Sequence, residues 1–102
     1  MRKVADMADA SRRLIIPHVT GGGTFPFYLA ATLHAMATVD NCPMIEYPHD
    51  PPVLTPETLQ VPVAVPLTPD DDGCVAVPDG PGLGIELDEK LMESGVVVET
   101  VE

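Results

Sequence analysis

The sequence predicts an α/β protein carrying a βα unit of a parallel barrel. Two apolar runs predict it, Leu14-Ile15-Ile16-Pro17 and Met44-Ile45-Glu46-Tyr47, each too short for a helix and bounded by turn residues. Between them lies one stretch with helical spacing, so residues 2 to 47 spell helix, strand, helix, strand. Each run also delivers one ionisable side chain at its end, His18 and Glu46. In a parallel barrel the strand ends on one face collect the chemistry, which places both residues at the same mouth.

The first element covers residues 2 to 11, where Val4, Ala5, Ala8 and Met7 form an apolar stripe between charged positions. No Ser, Thr, Asp or Asn precedes its first turn, which is the expectation for a helix entered in mid-pattern, with Met1 an internal methionine of a longer frame. Leu14 to Pro17 is short and β-branched at its centre, as a strand buried on both sides of a parallel sheet would be. Gly21 to Gly23 make the turn; without P-loop or Rossmann spacing they read as a plain loop rather than an anion cradle. From Phe25 to Val39 the spacing of Leu29, Leu33 and Met36 marks one helical face, and Pro26 is tolerated in the first turn. Asp40-Asn41 ends this helix, and Met44 to Tyr47 forms the next strand.

After Tyr47 the composition changes. Most of the 12 prolines fall between Pro48 and Pro81. The alternation Val61-Pro62-Val63-Ala64-Val65-Pro66 excludes an interior strand, because each proline lacks a donor, and leaves edge pairing at most. Cys74-Val75-Ala76-Val77 reads as a short strand after the Asp70 to Gly73 turn, whose aspartates lack the alternating pattern of a calcium loop. Asp79 to Gly84 is a glycine-rich loop. Asp88 to Ser94 reads as one or two helical turns, closed by Gly95 before the strand-like Val96-Val97-Val98. Two units result: 1–47, the barrel end, and 48–102, a proline-rich arm with short strands and a short helix.

A formal charge of −11, from 16 acidic against 5 basic residues, disfavours nucleic acid and anionic membranes as partners. It also suits a high-salt cytoplasm. Cys42 and Cys74 stand far apart with no CxxC spacing, which argues against zinc or redox chemistry. No apolar stretch approaches the ~20 residues of a membrane span, and the first residues do not read as a secretory signal, so the expected compartment is the cytoplasm. At 102 residues the chain is well short of the roughly 250 of a full barrel, which predicts a piece of something larger.

The order of Pro17-His18-Val19, a glycine loop, Leu29-Ala30-Ala31-Thr32-Leu33-His34-Ala35-Met36-Ala37, Ile45-Glu46-Tyr47 and then Val77 to Glu89 (VPDGPGLGIELDE) resembles a known family. It is similar to the C-terminal segment of mandelate racemase/muconate lactonizing enzyme-like proteins of the enolase superfamily. The resemblance implies a C-terminal fragment of a (β/α)7β TIM-like barrel: its last two strands and the helix between them, then the arm returning toward a capping domain. It implies that His18, at the end of strand seven, is the general base that removes the proton α to a carboxylate. It implies that Glu46, at the end of strand eight, hydrogen-bonds and stabilises the enediolate. The intact parent would then be a Mg²⁺-dependent acid-sugar dehydratase or racemase, a homo-oligomer taking a small carboxylate or acid-sugar substrate. Its metal ligands would come from strands three to five, which this chain lacks, so the piece alone should be inactive.

His34 reads as a helix packing or surface residue and His49 as a loop histidine at the rim. A second reading, of another class, is a free-standing non-catalytic remnant or protein-interaction module, whose uncovered apolar faces seek a partner.

Overall fold

The α2 helix, Phe25–Met36, organises the molecule: its Phe25, Leu29 and Leu33 form a buried cluster with Val19 and Leu59, as the helical spacing of its apolar residues requires. The structure, a computed structural model, describes residues 1–19 and 25–95; the Gly21 to Gly23 turn and the strand expected at 96–98 lie outside the described residues. The other helices are α1 (Arg2–Ala10), α3 (Pro56–Leu59) and α4 (Glu89–Glu93).

Helix α1 begins at Met1 with no side-chain cap. It ends in a Schellman closure, with the Arg13 N–H donating to the Ala8 carbonyl at 2.8 Å and the Arg12 N–H to that of Asp9 at 2.7 Å. Arg12 itself takes the left-handed conformation that this closure demands, with φ 53°. Of the expected stripe only Ala5 is buried, while Val4 and Met7 stay exposed.

Segments 14–17 and 44–47 are extended and lie side by side. The Ile15 N–H donates to the Asn41 carbonyl at 3.0 Å and, further along, His18 and Val19 meet Glu46, so the two segments run in parallel. They do not form regular strands, a departure from expectation with a simple cause: Pro17 and Pro43 each remove a donor from the ladder that would join them. The expectation of burial on both sides also fails. Val19, Ile45 and Tyr47 pack on the α2 cluster, whereas Leu14 (68 % exposed), Ile16 (57 %) and Met44 (60 %) face outward. Only one side of the two segments is covered.

Asn41 fastens α1 to this layer. Its buried amide donates to the Ala5 carbonyl at 2.9 Å and the Arg13 carbonyl at 3.2 Å.

In the arm the expected strand at 74–77 is extended but unpaired, apart from the turn that closes it. There the Asp70 carboxylate accepts N–H groups from Asp72 and Cys74, with Gly73 at φ 78°, a local turn as the sequence indicates. Residues 62–64 pair briefly with 86–88, through the Ala64 N–H to the Glu86 carbonyl and the Asp88 N–H to that of Pro62. Edge pairing is what the prolines permit. Helix α3 lies where the proline content predicts only extended chain; Thr55 and Thr58 cap each other around Pro56 at its start. Asp88 caps α4 by accepting the N–H groups of Lys90 and Leu91.

The radius of gyration is 15.7 Å, against about 13 Å for a closed domain of ~100 residues, in keeping with the uncovered faces. Among the described residues no helix is long and apolar enough to cross a membrane.

Candidate functional site

Extended backbone alternates its side chains, and this alternation builds the site. Val19 and Tyr47 point into the core beside α2, so their neighbours His18 and Glu46 point out, on the same bare face as Leu14, Ile16 and Met44. Parallel running of the two segments then brings the ends together. His18 Nδ1 lies 2.5 Å from Glu46 Oε2, and the Val19 N–H donates to the same oxygen at 3.3 Å.

An ionised Glu46 carboxylate can only accept, and against it a neutral His18 donates from Nδ1 and keeps its lone pair on Nε2, the arrangement of an oriented base. The side chains are 72 % and 45 % exposed. A pair so solvated contributes about 0–1 kcal/mol of stability, and its consequence is orientation of the imidazole rather than rigidity of the fold. The resemblance gives Glu46 to the enediolate; in this geometry one of its oxygens contacts His18.

Tyr47 anchors the second segment from below. Its ring meets Phe25 edge-on at 6.1 Å and 81°, a favourable aromatic geometry. Its hydroxyl donates to the Leu67 carbonyl at 2.8 Å and accepts from Gln60 Nε2 at 3.2 Å. Burial pushes the Tyr47 phenol above its ordinary pKa; the Gln60 hydrogen bond works against this and the Glu57 charge adds to it. Neither Tyr47 nor Gln60 is singled out by sequence reasoning. A signal for Tyr47 exists in the alternation, since an inward tyrosine at that place needs a partner for its hydroxyl.

The remaining histidines lie apart from the pair. His34 Nε2 is 3.1 Å from the Leu83 carbonyl and ties α2 to the 79–84 loop, a packing role. His49 is exposed beside Glu57, whose carboxyl is held below its ordinary pKa, chiefly by its own backbone N–H and then by Thr55. An open cleft of about 340 Å³ between α2 and the 70–74 turn, with Cys42 and Cys74 on its rim, includes neither His18 nor Glu46. Among the described residues no group of three or more His, Cys, Asp or Glu side chains could hold a metal ion.

Residues 1–91 match the family model described as enolase C-terminal domain-like. No curated protein and no solved structure matches the chain.

Proposed function

This chain belongs to the enolase C-terminal domain-like family, whose fold is α/β, and from that premise we propose that it is the C-terminal part of an enzyme that abstracts the proton α to a carboxylate. The parent is an acid-sugar dehydratase or racemase acting on a small carboxylate or acid-sugar substrate, and it works as a homo-oligomer. The segments 14–17 and 44–47 correspond to the last two strands of its barrel, with 48–102 as the arm running back toward a capping domain.

One observation carries the proposal: His18 and Glu46 share the uncovered face and hydrogen-bond to each other at the ends of two parallel segments. In a barrel that face is the interior. Held through Nδ1 by Glu46, His18 takes the α-proton on Nε2 while the C–H electron pair passes into the carboxylate as an enediolate. In dehydration the protonated imidazole returns its proton to the departing β-hydroxyl as the enediolate collapses and the C–O bond breaks. Dehydration is favoured over racemisation because, among the described residues, a single histidine base stands on this face.

Superfamily members generally use Mg²⁺, which would lower the energy of the doubly charged enediolate. The residues described do not fit such a site. The proposal is that its carboxylate ligands belong to other strands of the intact barrel.

The test is made in the intact parent. His18→Asn is expected to abolish exchange of the substrate α-proton with solvent deuterium while metal binding persists; retained exchange removes His18 from the mechanism. The exposed apolar side chains of Leu14, Ile16 and Met44, with Val4 and Met7 also exposed on α1, favour a second reading, a free-standing remnant or interaction module. Translating the DNA upstream of the Met1 codon separates the two. A long open frame with carboxylates at three successive strand ends supports the enzyme, and an in-frame stop supports the module.

A further inference from the structure

We propose that Gln60 is a positioning residue for the His18–Glu46 pair, acting through Tyr47. The inference rests on reading that pair as the reacting groups.

Gln60 closes α3 and is 1 % exposed, an unusual depth for a side-chain amide. It is fully engaged there. Its Nε2 donates to the Leu67 carbonyl at 2.7 Å and the Tyr47 hydroxyl at 3.2 Å, and its Oε1 accepts the Leu67 N–H at 2.8 Å. The amide thus pairs with the Leu67 peptide on both its donor and acceptor sides, as a neighbouring backbone would. The Tyr47 hydroxyl joins the same knot by donating to the Leu67 carbonyl at 2.8 Å.

The knot bears directly on the site because Tyr47 is the inward residue next to Glu46 in the alternation. With the Tyr47 ring fixed against Phe25 at one edge and its hydroxyl fixed at the other end, the backbone at 46–47 keeps one twist. That twist aims Glu46 outward and toward His18. On the facing segment Val19, 2 % exposed, performs the same service for His18, and its N–H adds the second bond to Glu46 Oε2. Two inward anchors therefore set the geometry of two outward groups. Of these anchors the Val19 side chain is buried apolar packing, whereas the Tyr47 side chain also depends on hydrogen bonds that Gln60 supplies or supports. Leucine at position 60 would fill similar volume but leave the partly buried Leu67 N–H without its acceptor.

The His18 tautomer reads this positioning directly in the 102-residue chain, by long-range ¹H–¹⁵N correlation of the imidazole nitrogens above its titration range. The native chain is expected to hold the Nδ1–H form, and Glu46→Ala to release the ring to the Nε2–H form that a solvated histidine prefers. In Gln60→Leu the ratio of Nδ1–H to Nε2–H is expected to fall about fivefold, toward the Glu46→Ala value. A folded Gln60→Leu chain with the native ratio overturns the proposal. Tyr47→Phe, which removes only the hydroxyl and keeps the Phe25 contact, is the second variant should Gln60→Leu not fold. A fall in its ratio supports the proposal, and an unchanged ratio overturns it. If Glu46→Ala leaves the tautomer unmoved, the pair does not form and the positioning role falls with it. Loss of the catalytic reading shows elsewhere, as α-proton exchange retained by His18→Asn in the parent, with these tautomer ratios unaffected.

Discussion

Gly84 should be the most demanding glycine in the arm, and its neighbour Gly82 provides the control. Both take left-handed backbone, at φ 71° and 65°, so alanine at either position carries about 1–2 kcal/mol of conformational cost. At Gly82 nothing lies within 4 Å of the added Cβ, and the cost ends there. At Gly84 the Cβ would stand 2.5 Å from Pro78 Cβ, and 3.0 Å from both the Gly80 nitrogen and the Pro78 carbonyl carbon. Two of these atoms are backbone and the third belongs to a stiff ring, so the loop must shift, which adds about 1–3 kcal/mol. Gly84→Ala should thus cost about 2–5 kcal/mol in all. Native-state hydrogen exchange at the amide of residue 84, which donates to the Pro81 carbonyl at 3.0 Å, measures the opening of this loop. Gly82→Ala should reduce its protection by about 5- to 30-fold, and Gly84→Ala should abolish it. Equal loss of protection in the two variants would refute the close-approach argument and leave only the φ term.

Two further outcomes follow from single residues. Arg12→Gly removes the strain of a non-glycine residue at φ 53° from the Schellman closure of α1 and should raise stability by roughly 0.5–1 kcal/mol after allowance for glycine's entropy; a lower urea midpoint would contradict it. The native Tyr47 phenol, raised by burial above the ordinary value of about 10, contributes stability that is complete below pH ~10 and is lost as pH rises through the native pKa. Urea midpoints between about pH 9 and 11 should therefore fall more steeply for the native chain than for Tyr47→Phe, and parallel curves would show that the phenol's environment has no such effect.

Local features are legible in the amino-acid order. Leu29, Leu33 and Met36 declare the face of α2, and all three are buried. The prolines of 61–66 limit that stretch to brief pairing, and Asp70 and Asp88 mark a turn and a helix start that the fold contains. Thr55-Pro56-Glu57-Thr58 also carries a helix signal, a reciprocal cap with proline at the first position, but the surrounding prolines are an equally local signal for extended chain and mask it. The double-sided burial expected of 14–17 fails for a different reason. Apolar β-branched composition says that a segment wants cover, and it cannot say whether this chain supplies cover on one face or two.

The sequence by itself determined which side chains belong together on each element, because periods of two and 3.6 are properties of local backbone geometry. It therefore put His18 and Glu46 each at the end of an apolar run. Only the tertiary structure decided that they touch. They stand 28 positions apart, and their meeting depends on the parallel register of two segments, on the Asn41 amide that ties α1 to the first of them, and on the Tyr47–Gln60–Leu67 knot beneath the second. Each is a contact between residues distant in sequence, whose formation is governed by the packing of the whole layer on α2 and by no local propensity.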